Sequence, residues 1–248
     1  MLHIKQYNNA TIIENVIEEI IIDELIHPLD NLPPTVNKIT IKKSINIYRR
    51  QNKIPYNCKL IIENVTIDDI NIFNNMKEED YLDITQLDLS CNEMTSVPES
   101  ISSLVSLRIL HLYNNKITSI PESISSLINL RELNLHNNQI TSISESISSL
   151  INLQELNLSY NKIISIPESI GSLINLRELY LYTNGITSIS ESIGSLINLQ
   201  NLHLSNNQIT SIPESISSLI NLQKLYLSYN KITSIPKSIE DKPYLRLK

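Results

Sequence analysis

The sequence predicts an α/β solenoid: a right-handed arc of stacked coils, with a parallel β-sheet on the concave face and 3₁₀ or short helices on the convex face. Three observations predict it. A 23-residue unit recurs seven times without a gap over residues 84–244. Each copy opens on the frame LxxLxLxxN, as in LRELNLHNNQITSISESISSLIN at 130–152. The second half of most copies changes period and restarts on Pro-Glu. A unit this short buries its apolar edge only against its neighbours, so the copies must stack rather than close into a globule.

The elements follow in chain order. Over residues 12–26, Ile12, Ile13, Val16, Ile17, Ile20, Ile21 and Leu25 recur at three and four spacing among Glu14, Glu18, Glu19, Asp23 and Glu24. That pattern predicts an amphipathic helix ended by Pro28, and so an N-terminal helical cap over 1–30. Residues 31–83 read as irregular leading coils, because Ile39 and Ile41, Leu60 and Ile62, and Leu87 and Leu89 align at spacings of 21 and 27. The seven regular units occupy 84–244, and 245–248 is the C-terminal end. Near that end Lys242 replaces an inward Leu and Pro243 follows, which blunts an open strand edge.

Within each unit, positions one, four and six hold Leu (Ile84 in the first) and point inward from a short strand. Position nine is always Asn: Asn92, Asn115, Asn138, Asn161, Asn184, Asn207 and Asn230. A carboxamide both donates and accepts, so stacked Asn side chains can satisfy the buried backbone of successive turns as a structural ladder. The Ile-Pro-Glu half starts a convex helical turn whose Ile and Leu are expected to face inward and whose Ser faces out. Glu99, Glu122, Glu145, Glu168, Glu191 and Glu214 sit where a helix start favours an acid.

With Ile-Pro after the Asn and a period of 23, the repeats resemble the intracellular Ras-group leucine-rich repeats of Scribble-type and Ras-suppressor proteins. The resemblance spans 84–244 and implies a leucine-rich repeat solenoid that serves as a protein-binding scaffold; it carries no shared binding motif onto this chain. Residues 27–41 also resemble an FNIP repeat, without the Phe-Asn-Ile-Pro signature.

Composition narrows the function classes. A net charge of −6 disfavours nucleic acid and anionic membrane as partners. Two cysteines, Cys58 and Cys91, are too few for disulfide caps, and the N-terminal apolar run is broken by acids. Both facts lead us to expect a cytoplasmic protein without signal peptide or transmembrane segment, and the sequons at Asn9, Asn64 and Asn157 then carry no meaning. Residues 31–62 form the one basic stretch, seven Lys and Arg with no acid, which suits the acidic segment upstream.

Chemistry has little to build on. Asp88 and His111 should be lateral neighbours, but Cys91 falls about 10 Å along the strand from Asp88 and no oxyanion site lies near. No metal motif occurs and the three glycines form no phosphate loop. The expectation is a non-enzymatic module with no cofactor and no metal.

Comparison among the copies points to the concave face. Positions two, three, five, seven and eight should project to solvent, and they hold six of eleven tyrosines and three of five histidines. That enrichment marks His111, Tyr113, His136, Tyr160, Tyr180, Tyr182, His203, Tyr226 and Tyr229 as candidate partner-binding residues. Position five should stack Tyr180, His203 and Tyr226 on adjacent strands, with Tyr160, Tyr182 and Tyr229 beside them, which sets the binding centre toward the C-terminal half. Concave charges nearly cancel, so a protein or peptide partner is expected rather than a polyanion. Two alternatives stand beside it: an adaptor that recruits machinery such as ubiquitin ligation through residues 1–83, and a scaffold that self-assembles as a weak end-to-end homodimer.

Overall fold

The structure, a computed structural model, describes residues 85–240 in full and five further stretches as backbone strands. Strands β1 (Ala10–Ile13), β2 (Val16–Ile22), β3 (Lys38–Ile41) and β4 (Lys59–Ile62) precede β5 (Gln86–Asp88). One three-residue strand per coil follows: β6 (Ile109–His111), β7 (Glu132–Asn134), β8 (Glu155–Asn157), β9 (Glu178–Tyr180), β10 (Asn201–His203) and β11 (Lys224–Tyr226). Strand β12 (Leu245–Arg246) pairs with β11. All twelve strands stand in chain order in one sheet. Every pair is parallel except β1 with β2, since a coil that returns to the same edge must run the same way.

The leading coils keep the predicted alignment: Ile39 stands opposite Leu60, and Leu60 opposite Leu87. The expected N-terminal helix is corrected. Ala10–Ile13 and Val16–Ile22 are strands paired antiparallel, and β2 continues the parallel sheet through β3. Ile and Val are stiff at χ1 and favour extended backbone, and a sheet edge supplied by the next coil outweighs the three-and-four spacing. The remainder of the expected cap, and residues 27–37 of the FNIP-like stretch, lie outside the described residues.

The core is a narrow column. Leu at positions one, four and six and Ile from the convex half, such as Leu130, Leu133, Leu135, Ile140 and Ile147, are buried in coil after coil. On the convex side each of six coils forms a five-residue 3₁₀ helix, from Glu99–Ser103 to Glu214–Ser218, with its Glu in the first turn. Four of the helices begin after a Pro with φ near −70°; in the other two, Ser144 and Ser190 take its place and accept from the backbone N–H of Ser146 and Ser192.

The coils are stitched at two levels. In the expected ladder, Asn138 donates to Leu112 O at 2.9 Å and Leu135 O at 3.0 Å, and its Oδ1 accepts from Ile117 N. Asn115, Asn161, Asn184, Asn207 and Asn230 repeat the pattern. A second row goes beyond the sequence expectation. Asn129, Asn152, Asn175, Asn198 and Asn221 each donate to a carbonyl of the preceding coil at 2.7–2.9 Å.

The carbonyls they grip belong to Val105, Ile128, Ile151, Ile174 and Ile197. Here the inward expectation for convex Ile fails. These five and Ile220 are 39–79% exposed, and they line up as an apolar row outside the core. The turn after each 3₁₀ helix buries the preceding Leu, as at Leu127 and Leu150, and so swings its neighbour outward.

Candidate functional site

The parallel register brings like positions of the repeat side by side. Along position five stand Asp88, His111, Asn134, Asn157, Tyr180, His203 and Tyr226, each opposite the next across the sheet. Along position three stand Gln86, Ile109, Glu132, Glu155, Glu178, Asn201 and Lys224, in the same order. Strands in a sheet are spaced about 4.8 Å apart, so flat rings on neighbouring strands touch.

They do touch, in a chain that crosses the sheet. His136 meets Tyr160 edge-on at 5.1 Å between centroids, and Tyr160 meets Tyr182 at 5.4 Å. Tyr182 lies 4.5 Å from His203, and His203 lies 4.8 Å from Tyr226. Tyr180 joins at 6.5 Å from His203. The hub is therefore Tyr182 with His203, which widens the ladder expected from position five alone. Burial holds the imidazoles of His136 and His203 below the ordinary value, so both are neutral near pH 7. Burial, and then the hydrogen bond its hydroxyl donates to Glu178, pushes the Tyr180 phenol up. The strip is thus uncharged: amphipathic rings with apolar faces and polar rims.

Two expected members stand apart. His111 contacts Tyr113 at 6.1 Å, but its nitrogens belong to an acidic clasp, Nε2 at 2.7 Å from Glu132 and Nδ1 at 3.8 Å from Asp88. The Asp88 carboxylate first, and then Glu132, raise the His111 imidazole against the effect of burial. Burial pushes the Asp88 carboxyl up, yet the His111 imidazole beside it and the hydrogen bond from the Ser90 N–H outweigh burial and hold the carboxyl well below the usual range. Tyr229, 82% exposed, touches none of the other candidate rings. Not every outward position is open, either: Ser159, which precedes Tyr160 in the coil between those of His136 and Tyr182, is sealed, and Asp88 and Ser228 are buried.

Backbone geometry adds a feature that side-chain enrichment does not reveal. Position eight is left-handed in all seven regular coils: Cys91, Asn114, Asn137, Tyr160, Thr183, Asn206 and Tyr229 have φ between 53° and 61°. Asn tolerates that region, whereas a bulky or β-branched residue is strained there. The preference is legible in Asn114, Asn137 and Asn206. Against it, Tyr160 and Tyr229 hold their rings at the sheet margin at a conformational cost.

Among the described residues no group of His, Cys, Asp and Glu is arranged to hold a metal ion, and no helix is long and apolar enough to cross a membrane. Cys91 is exposed at the sheet margin and accepts a weak 3.5 Å contact from the Asn114 amide.

No curated protein matches the chain by sequence. Solved structures do. A leucine-rich repeat protein of Leptospira interrogans is 29% identical over 85% of this chain and 67% of its own, with a TM-score of 0.53. An internalin of Listeria monocytogenes is 23% identical, over 86% of this chain and 66% of its own, with a TM-score of 0.65. A plant peptide hormone receptor solved in complex with RGF2 is 26% identical, over 84% of this chain but only 35% of the receptor, with a TM-score of 0.55. A family model for the leucine rich repeat matches in overlapping windows, 83–140, 106–163, 128–186, 174–232 and 197–247. Those windows cover the coils whose Leu column, Asn ladder and concave sheet are described above, and the chain belongs to the leucine-rich repeat family.

Proposed function

We propose that this protein is a non-enzymatic interaction module that holds a protein or peptide partner on the concave sheet, in an intracellular setting. The observation that carries this reading is the ring strip. His136, Tyr160, Tyr182, His203, Tyr180 and Tyr226 make one contiguous amphipathic surface across five strands, and Tyr160 is 48% exposed at its margin. Aromatic anchors on a rigid sheet lose little conformational freedom on binding, which is why interfaces concentrate them. The strained backbone under Tyr160 and Tyr229 supports the same reading, because Asn would satisfy the fold there more readily. The plant peptide hormone receptor of the same fold, solved in complex with RGF2, supports the reading. The likeness of the 23-residue unit to the Ras-group arrays is what supports the intracellular setting.

The test separates stability from binding. Tyr229→Asn relieves a left-handed Tyr and should raise stability by up to about 1 kcal/mol. Combined with Tyr182→Ala, it should abolish capture of the partner that the unaltered chain retrieves from cell extract. Unchanged capture by the double variant, with a cooperative melting curve, would refute the concave-face reading.

A further inference from the structure

Beside the ring strip runs a row of acceptors that no Lys or Arg among the described residues reaches. Glu132, Glu155 and Glu178 stand opposite one another on three consecutive strands, and Asn201 continues the row. Glu132 has His111 at 2.7 Å. Neither Glu155 nor Glu178 has a Lys, Arg or His within ion-pair distance among the described residues; Glu178 takes only the Tyr180 hydroxyl. Arg131 and Arg177, which begin the same strand segments, are exposed and pair with none of these carboxylates. Carboxylates about 4.8 Å apart on a half-buried face repel one another. The Glu155 carboxyl accordingly sits above the ordinary value, by burial first and then by the charges of Glu132 and Glu178.

Asn201, between Glu178 and Lys224, is short of a donor as well. The Oδ1 of Asn201 is shielded from solvent and has no hydrogen-bond partner. Burial without a partner is costly for an amide oxygen, and the terminal torsion of Asn is soft enough to turn that oxygen toward an arriving N–H. Three carboxylates and an amide oxygen therefore form one run of acceptors that ends at Lys224 on the next strand, with the Tyr180 and Tyr182 strip alongside. A cation laid there gains carboxylate pairing and aromatic contact together.

Building on the concave-face reading, we infer that the partner is a basic segment: an extended peptide or loop that sets Lys or Arg side chains along Glu132, Glu155, Glu178 and Asn201 while its other side chains rest on the tyrosine strip. The net charge of −6 assists its approach, and the exposed Arg131 and Arg177 then limit the partner's own cations to the carboxylate track.

The experiment is selection of a phage-displayed library of short random peptides on the immobilised full chain. Recovered peptides should be enriched in Lys and Arg about threefold over the unselected library. A recovered basic peptide should bind the Glu155→Gln, Glu178→Gln double variant about tenfold more weakly, and weaken in salt, while the variant melts no lower than the parent. Recovered peptides that are neutral or acidic, yet still lose affinity to Tyr182→Ala, would overturn the basic-partner inference and leave the concave-face reading intact. Peptides indifferent to Tyr182→Ala and to the Glu substitutions alike would overturn both.

Discussion

Replacing Asn138 by Ala tests the ladder at a buried rung, and the structure fixes what the change removes. The side chain gives up its donation to Leu112 O and Leu135 O and its acceptance from Ile117 N. The two carbonyls are shared, however: Leu112 O also accepts from Asn115, and Leu135 O from Asn161, both at 3.0 Å. Each therefore keeps one donor after the substitution, and losing the second costs the net value of an ordinary hydrogen bond, about 0.5 to 1 kcal/mol. The N–H of Ile117 has no such reserve. Left unpaired in the column, it costs about 1 to 3 kcal/mol, so the whole change should cost about 2 to 5 kcal/mol.

Asn138→Asp sharpens the test. It keeps an acceptor for Ile117 but aims an oxygen at two carbonyl oxygens, so near pH 7 it should be at least as damaging as Ala. Urea unfolding followed by circular dichroism gives the global loss, and amide exchange at Ile117 reports the local one, which matters because a stacked array need not unfold in one step. An Asn138→Asp variant as stable as the parent, or an Asn138→Ala variant within about 0.5 kcal/mol of it, would refute the ladder reasoning.

Three further outcomes are expected. His111 has a raised folded pKa, so its contribution to stability is complete below the unfolded value of about 6.5 and fades as pH rises through the folded one. The stability gap between the parent and His111→Asn, measured in urea, should thus be larger at about pH 5.5 than at about pH 9; a gap that grows with pH would contradict the clasp. Gly194→Ser restores the residue that other copies carry, but a Cβ there would lie 2.7 Å from Ser215 O, so melting should show a loss of about 1 to 3 kcal/mol. Ile151→Lys with Ile174→Lys, on side chains 52% exposed, should leave stability within about 0.5 kcal/mol and reduce concentration-dependent light scattering.

Much of this architecture was legible because the period is a physical constraint. Leu133 and Asn138 recur at fixed offsets, so their burial and pairing follow from stacking alone. The misread parts are those where period and environment diverge. Residues 12–22 carry a helical spacing on β-branched side chains, and only the neighbouring sheet edge decides between the two readings. The outward Ile128 and Ile151 follow buried Leu127 and Leu150 directly, and an apolar pair at a turn does not announce which member faces the column. Of the candidate site, the composition of the concave face was readable, whereas the centring of the rings on Tyr182 and His203, and the separation of His111 into an acidic clasp, depend on rotamers. The left-handed margin under Tyr160 was encoded in its Asn counterparts but hidden among many other asparagines.

The exposed aliphatic row has a consequence for the growth of such arrays. Each duplicated coil adds one more rung of hydrogen bonding and, inseparably, one more greasy side chain to the outer seam. Cohesion along the axis and stickiness toward other molecules therefore rise together with coil number. A longer descendant of this protein would have to recolour that seam with polar residues before it could extend, which sets a solubility ceiling on elongation by simple copying.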